Sequence, residues 1–173
     1  MRATAFCSNG LYFREWRLDD VEVMAALFDT DQMNRWTPLA TPFTVEVARE
    51  YIARAREAQL TVGIRQLAVL LDPDAAPVGE VLLFPADAAD EVELAYAVGA
   101  QHQRKRIATR AVLAALDLAR SQGARRALLT IAEGNEGSAG VARGAGFTMT
   151  DAPVRERRRK GFVLQMRTWA RDL

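Results

Sequence analysis

The chain has 173 residues, of which 50% are apolar and 26% charged, with a formal net charge of +1. That length fits one domain with a sizeable core, and the near-neutral balance sets up no global field toward nucleic acid or a membrane surface. A single cysteine, Cys7, and a single histidine, His102, exclude an intrachain disulfide, a cysteine metal cluster and a multi-histidine metal site.

Residues 11–16 have the aromatic content and length of a first strand. Asp19 or Asp20 caps a helix whose apolar positions Val21, Met24, Ala25 and Phe28 keep helical spacing. A short helical turn at 31–36 ends at Pro38. Pro42 and Thr44 then introduce a helix with Val47, Ala48, Tyr51, Ile52 and Ala55 on one face. Three strands follow at 64–71, 78–84 and 91–98, the first two joined by the turn Asp72-Pro73-Asp74. A helix at 107–122 turns Ala111, Val112, Ala115, Leu116 and Ala119 inward and ends at Gly123. A short buried strand at 127–131, a helix at 136–145 stopped by Gly146, and a strand pair at 147–150 and 162–169 complete the chain.

This order predicts a mixed α/β (α+β) fold, with one mixed, mostly antiparallel sheet and helices on both faces, in a single domain over 1–173. Residues 91–131 form a strand-helix-strand crossover with a parallel, right-handed connection. Ligands on such sheets bind at the carboxyl ends of strands, so the expected mouth lies beyond Val98. No apolar stretch approaches the ~18 residues of a membrane span and the N-terminus has no extended apolar segment, so a cytoplasmic protein without a membrane partner is expected.

Arg104, Lys105 and Arg106 stand where a helix begins, beside the partial positive charge of its unpaired N–H groups. Each costs roughly 0.3–1 kcal/mol when exposed, and an anion seated there removes the cost. A solvated surface turn is the competing reading. His102, just before the turn, reads as an exposed loop residue. Trp16, Trp36 and Trp169 read as core or pocket-wall aromatics.

Three segments, in this order and at these spacings, resemble the GNAT superfamily of N-acetyltransferases. Val92-Glu93-Leu94-Ala95-Tyr96-Ala97-Val98 is similar to its central strand. Gln103-Arg104-Lys105-Arg106-Ile107-Ala108 stands in place of its pyrophosphate loop, Gln/Arg-x-x-Gly-x-Gly/Ala. Asn135, Ser138 and Gly146-Phe147 resemble its Asn-x-x-Ser/Ala…Gly-Phe helix. Residues 13–20 and the ending resemble the RimJ/RimL-like branch, which acetylates N-terminal amines of ribosomal proteins.

The resemblance implies the GNAT (acyl-CoA N-acyltransferase) fold and acetyl-CoA as acetyl donor without a metal. It also implies direct transfer in a ternary complex to a primary amine, on a small molecule or a protein N-terminus. A homodimer is compatible with it, and nucleic acid is not an expected partner. Glu93 is implied as the base, with Glu91 two residues along the same strand face as its competitor. Ser138 is implied as proton donor to the departing thiolate, its alternative being a bond to its own helix backbone. The residues implied to hold the cofactor are Tyr96, Ala97, Val98, Gln103, Arg104, Lys105, Arg106, Ile107, Ala108, Thr109 and Asn135. Asn135 also suits a helix cap.

The sequence departs from the family pattern at two places. A tyrosine common on the Asn-x-x-Ser helix is replaced by Ala142, and Arg104 and Arg106 stand where glycine is usual. Helical angles at the arginines would keep the loop's shape, with their side chains turned away or set on the phosphates. The alternative is a GNAT-fold binding protein with weakened or lost acetyl-CoA binding. The run Arg155-Glu156-Arg157-Arg158-Arg159-Lys160 reads as a solvated hairpin closed by Gly161, with a ribose-phosphate anchor or a nucleic-acid patch as alternatives.

Overall fold

A computed structural model describes residues 5–159 and 161–173; Lys160, at the end of the basic run, lies outside the described residues. The chain enters through a hairpin of β1 (Phe6–Ser8), which the sequence reading leaves out, and β2 (Leu11–Glu15), the expected first strand. Its two-residue turn is Asn9-Gly10, with φ of 51° and 67°. Positive φ at both positions matches the right-handed twist of the flanking strands, and Asn-Gly is the pair that tolerates it best.

A 3-10 turn (Leu18–Asp20) leads into α1 (Val21–Phe28), then α2 (Asp31–Trp36) and α3 (Val45–Thr61). Thr30 and Thr44 cap the last two, accepting from the amides of Met33 at 3.2 Å and Val47 at 3.3 Å. The expected cap of α1 by Asp19 or Asp20 is not made by a side chain. The Asp20 carboxylate instead takes a bidentate pair from Arg14 at 2.6 and 2.9 Å and accepts from the Arg17 amide at 2.8 Å. A charge-assisted fork is the stronger partner for a nearly buried carboxylate.

Next come β3 (Arg65–Leu70), β4 (Gly79–Pro85), β5 (Glu91–Val98), α4 (Ile107–Ser121), β6 (Arg126–Ala132) and α5 (Glu136–Gly144). The last strands are β7 (Thr148–Met149), β8 (Arg155–Arg159) and β9 (Phe162–Asp172). Among the described residues these make one sheet in the order β1-β2-β3-β4-β5-β6-β9-β7, with β8 on β9. Only β5 and β6 pair in parallel, as the crossover through α4 requires. Arg110 of α4 donates to the carbonyls of Asn9 and Gly10, tying the first hairpin to that helix.

Alternate residues of the strands feed two main cores, beside a small cluster of Ala132, Leu164 and Met166. Leu11, Phe13, Leu67 and Val69 pack with α4 and α5, whereas Ala68 and Leu70 pack with α1 and α3 around Phe28, Phe43 and Ile52. The expected mixed, mostly antiparallel sheet with helices on both faces is therefore present. Among the described residues no helix is long and apolar enough to cross a membrane.

The sheet opens at one place. Parallel pairing of β5 with β6 runs from Glu91↔Arg126 to Leu94↔Leu129 and stops. Beyond it, β5 stays on β4 as far as Val98↔Gly79, while β6 stays on β9 as far as Ala132↔Met166. The two strands therefore part, and the edge of β5 from Ala95 to Val98 has no ladder partner on the β6 side. Gly79 keeps that edge in place: a Cβ there would fall 2.3 Å from the Ala97 carbonyl oxygen.

Candidate functional site

Two cavities occupy the parting of β5 and β6. The first, of about 360 Å³, lies between the end of β5, the basic turn, the start of α4 and the start of α5. Tyr96, Ala97, Val98, Gln103, Arg104, Arg106, Ile107, Ala108, Thr109 and Asn135 all line it. Lys105, expected with them, does not: its side chain is exposed and its ammonium reaches the Gln101 carbonyl at 3.4 Å.

The turn differs from the expectation in its backbone. Arg104 and Arg106 do not take helical angles; each has φ of 58°, the left-handed region that glycine favours. For a residue with a Cβ that conformation costs about 1–2 kcal/mol. The glycine-type path is thus kept without glycine, and both arginines still line the cavity. Arg106 is also the N-cap of α4 and makes no side-chain cap bond, so the first-turn amides beside the cavity are not capped by it. Uncapped helix amides, the positive end of the helix and two guanidinium-bearing residues converge on one wall, a setting for a multiply charged anion.

Gln103 braces this wall. Its amide donates to the Val98 carbonyl at 3.1 Å and to Gln32 of α2 at 2.9 Å. His102 is half-buried on the same wall rather than an exposed loop residue. Burial first, and then the nearby Lys105, push its pKa down, which favours the neutral imidazole.

The second cavity, of about 290 Å³, lies on the other side of Tyr96 and Ala97. The two share Trp36, Thr37, Tyr96, Ala97, Asn135 and Ser138. Trp36 therefore does stand in a cavity wall, while Trp16 and Trp169 are core. Glu93 lines the second cavity and accepts from the Thr130 hydroxyl at 2.7 Å. Glu91 lies outside it, bridged to Arg126 at 3.2 Å. Of the two carboxylates on this strand face, only Glu93 meets the cavity.

Asn135 caps α5 as expected, accepting from the Ser138 amide at 3.1 Å. The Tyr96 hydroxyl donates to the Ser138 carbonyl at 3.3 Å and bridges the parted strand to the helix start. Burial pushes the Tyr96 pKa up to about 12, so the phenol keeps its proton at neutral pH and remains a donor. Ser138 lies on both cavities, at their junction.

Two further charged residues line the second cavity, one absent from the sequence reading and one read there as part of a solvated hairpin. Glu80 is 2% exposed and accepts from Trp16 Nε1 at 3.1 Å, the Tyr51 hydroxyl at 2.8 Å and Gln66 Nε2 at 2.8 Å. Burial pushes its pKa up against the pull of those three donors, and the same burial and the nearby carboxylate push Tyr51 up as well. The donors come from positions 16, 51 and 66, so no local motif announces the cluster. Arg157 is the second. In the register of β8 on β9 it sits opposite the buried Leu164, so it shares that strand's inward face while Glu156 and Arg158 are exposed. Arg159, on the same face, donates to the carbonyls of Leu39 at 3.0 Å and Asn34 at 3.4 Å. The described part of the basic run is a hairpin, as expected, but Arg159 is docked and Arg157 is half-buried rather than solvated.

A model of the acetyltransferase (GNAT) domain family matches residues 10–148. Among curated proteins none matches the sequence significantly. Solved structures share the architecture at low identity. A GNAT-family acetyltransferase from Bacillus anthracis superposes with a TM-score of 0.84 at 16% identity, covering 98% of both chains. Mycobacterium smegmatis RimJ, in complex with a coenzyme A disulfide, gives 0.80 at 18% identity over 98% of this chain and 86% of its own. The microcin C7 self-immunity acetyltransferase, in complex with acetyl-CoA and AMP, gives 0.80 at 17% identity over 95% and 93%.

Proposed function

The chain belongs to the GNAT acetyltransferase family, and from that premise we propose that it transfers the acetyl group of acetyl-coenzyme A to a primary amine, on a protein N-terminus or a small molecule, by direct attack in a ternary complex. The observation that carries this reading is the meeting of two cavities at Tyr96, Ala97 and Ser138, one walled by cationic and helix-N-terminal groups, the other by Glu93.

The diphosphate of the donor rests against the turn at Arg104 and Arg106 and the first turn of α4, where its charge offsets both the arginines and the helix end. The pantetheine arm follows the unpaired edge of β5 toward the junction. An acceptor ammonium in the second cavity gives a proton to Glu93, directly or through one water, and the freed lone pair attacks the thioester carbonyl carbon. A backbone N–H on the open edge of β5 polarises that carbonyl oxygen. As the C–S bond breaks, the thiolate takes a proton from the Ser138 hydroxyl, which regains one from solvent or from the acceptor nitrogen. Thr130 holds one oxygen of Glu93 and so fixes which oxygen faces the amine.

The test is thiol release from acetyl-CoA in the presence of amine acceptors, with mass spectrometry of the product. Thiol appearing in step with a one-acetyl mass gain on the amine is the expected result. Acetyl-CoA binding without acetylation of any amine would leave a binding protein with the same fold.

A further inference from the structure

Resting on the transferase reading, the geometry points to an acceptor that carries a carboxylate within a few bonds of its amine, and we propose Arg157 as the group that binds it. Arg157 and Glu93 line the same cavity of about 290 Å³. Among the described residues Arg157 makes no hydrogen bond or ion pair, although its guanidinium is half-buried. A cation partly withdrawn from water with no hydrogen-bonded partner is costly, and an anion bound against it removes that cost. Burial lowers its pKa, and the charge of Glu93 acts against that shift, so the two groups feel each other across the cavity.

Glu93 is already held by the Thr130 hydroxyl, so it is fixed without help from Arg157. Leu39, Leu82, Phe84 and Met166 offer apolar contact in this space, and the Glu80 carboxylate, which also lines it, is taken up by its three donors Trp16, Tyr51 and Gln66. An acceptor that satisfies all three features has its amine at Glu93, its carboxylate at Arg157 and an apolar remainder. The volume is at the small end for ligand sites, which suits an amino acid or the first residues of a peptide. The carboxylate belongs either to a free amino acid or to an acidic side chain next to a peptide's N-terminus, and both present the same chemistry to the guanidinium.

The experiment compares leucine with leucinamide, and the peptides Ser-Glu-Ala-amide with Ser-Gln-Ala-amide, as acceptors for the wild-type chain and for Arg157→Gln and Arg157→Lys. The wild type is expected to favour the acid of at least one pair by roughly 10–100-fold in kcat/KM, the range of a charge-assisted bond. Arg157→Gln brings that ratio to about one, and Arg157→Lys restores part of it. The pair that discriminates names the source of the carboxylate. Calorimetry of the corresponding N-acetylated products on the coenzyme A-loaded protein reads the same preference without turnover, so a failure of transfer is told apart from a failure of recognition. Coenzyme A affinity of the variants reports that they are folded. Equal use and binding of acid and neutral partners in both pairs, or a preference that survives Arg157→Gln, overturns the proposal. So does a variant in which acid and amide fall together, because that is the signature of a change at Glu93.

Discussion

Replacing Glu93 by glutamine is expected to lower kcat by about 100-fold or more, the usual loss when a positioned general base is removed. The change keeps the volume of the side chain and an oxygen able to accept from Thr130, so the cavity wall stays as it is. KM for acetyl-CoA is expected to stay within a factor of about two, because Glu93 lines the second cavity and not the one that meets the basic turn. The rate of the variant should rise with pH until the acceptor amine loses its proton unaided. Steady-state kinetics over a pH series checks this. An unaltered kcat removes Glu93 from the mechanism, and Glu91, bound to Arg126 outside the cavity, is not placed to replace it.

The second large effect is on stability. Glu80→Ala removes a buried acceptor from three donors at once, the Trp16 indole, the Tyr51 hydroxyl and the Gln66 amide. An orphaned buried donor costs about 1–3 kcal/mol, and water entering from the adjoining cavity recovers part of it. A net loss of about 3 kcal/mol is expected, which for a chain of this size lowers Tm by roughly 6–12 °C. Glu80→Gln behaves differently. Its amide oxygen still accepts from Trp16 and Gln66, and its NH₂ group donates to a Tyr51 hydroxyl turned to accept.

The pH dependence separates the two acyl groups at that position. Burial raises the Glu80 pKa above its unfolded value, so on raising the pH the unfolded chain gives up this proton first. The stability from this group is therefore full below the unfolded pKa and lost as pH climbs through the folded pKa. Glu80→Gln abolishes that loss, and urea titrations from mildly acidic to neutral pH should show a flatter profile. A wild-type profile identical to that of Glu80→Gln would mean that the three donors fully offset the burial.

Much of the fold was legible because the signals were local. Helical spacing at Val47, Ala48, Tyr51 and Ile52, capping residues before helices, and apolar strands of five to eight residues all act within one element. The first hairpin had a signal as well, since Asn9-Gly10 is the favoured two-residue turn, but β1 is only Phe-Cys-Ser, too short to show an apolar-polar alternation in its residue types. The charge of the turn at Arg104 and Arg106 marked it as a candidate anion seat, beside the reading of a solvated surface turn. Its left-handed backbone was not legible, because a glycine-type path built from arginine contradicts local preference and is imposed by the strand and helix on either side.

The acceptor side was least legible. Glu80 depends on residues 14 to 64 positions away, and Arg157 depends on which face of a hairpin turns inward. In a run reading Arg-Glu-Arg-Arg-Arg that face is set by the partner strand's Leu164 and Met166, not by the run itself. Glu93 was separable from Glu91 only once the parting of β5 and β6 beyond Leu94 put a cavity beside one and left the other bridged to Arg126.

The proposed transfer requires that a diphosphate be held against Arg104, Arg106 and the first turn of α4. Its most direct test is calorimetric titration of the protein with acetyl-CoA and with acetyl-pantetheine, which shares the thioester but lacks the diphosphate. Saturable binding of acetyl-CoA at least about tenfold tighter than acetyl-pantetheine, weakening as salt is raised, is the predicted result. Equal affinities for the two, or no heat with either at millimolar concentration, would contradict it.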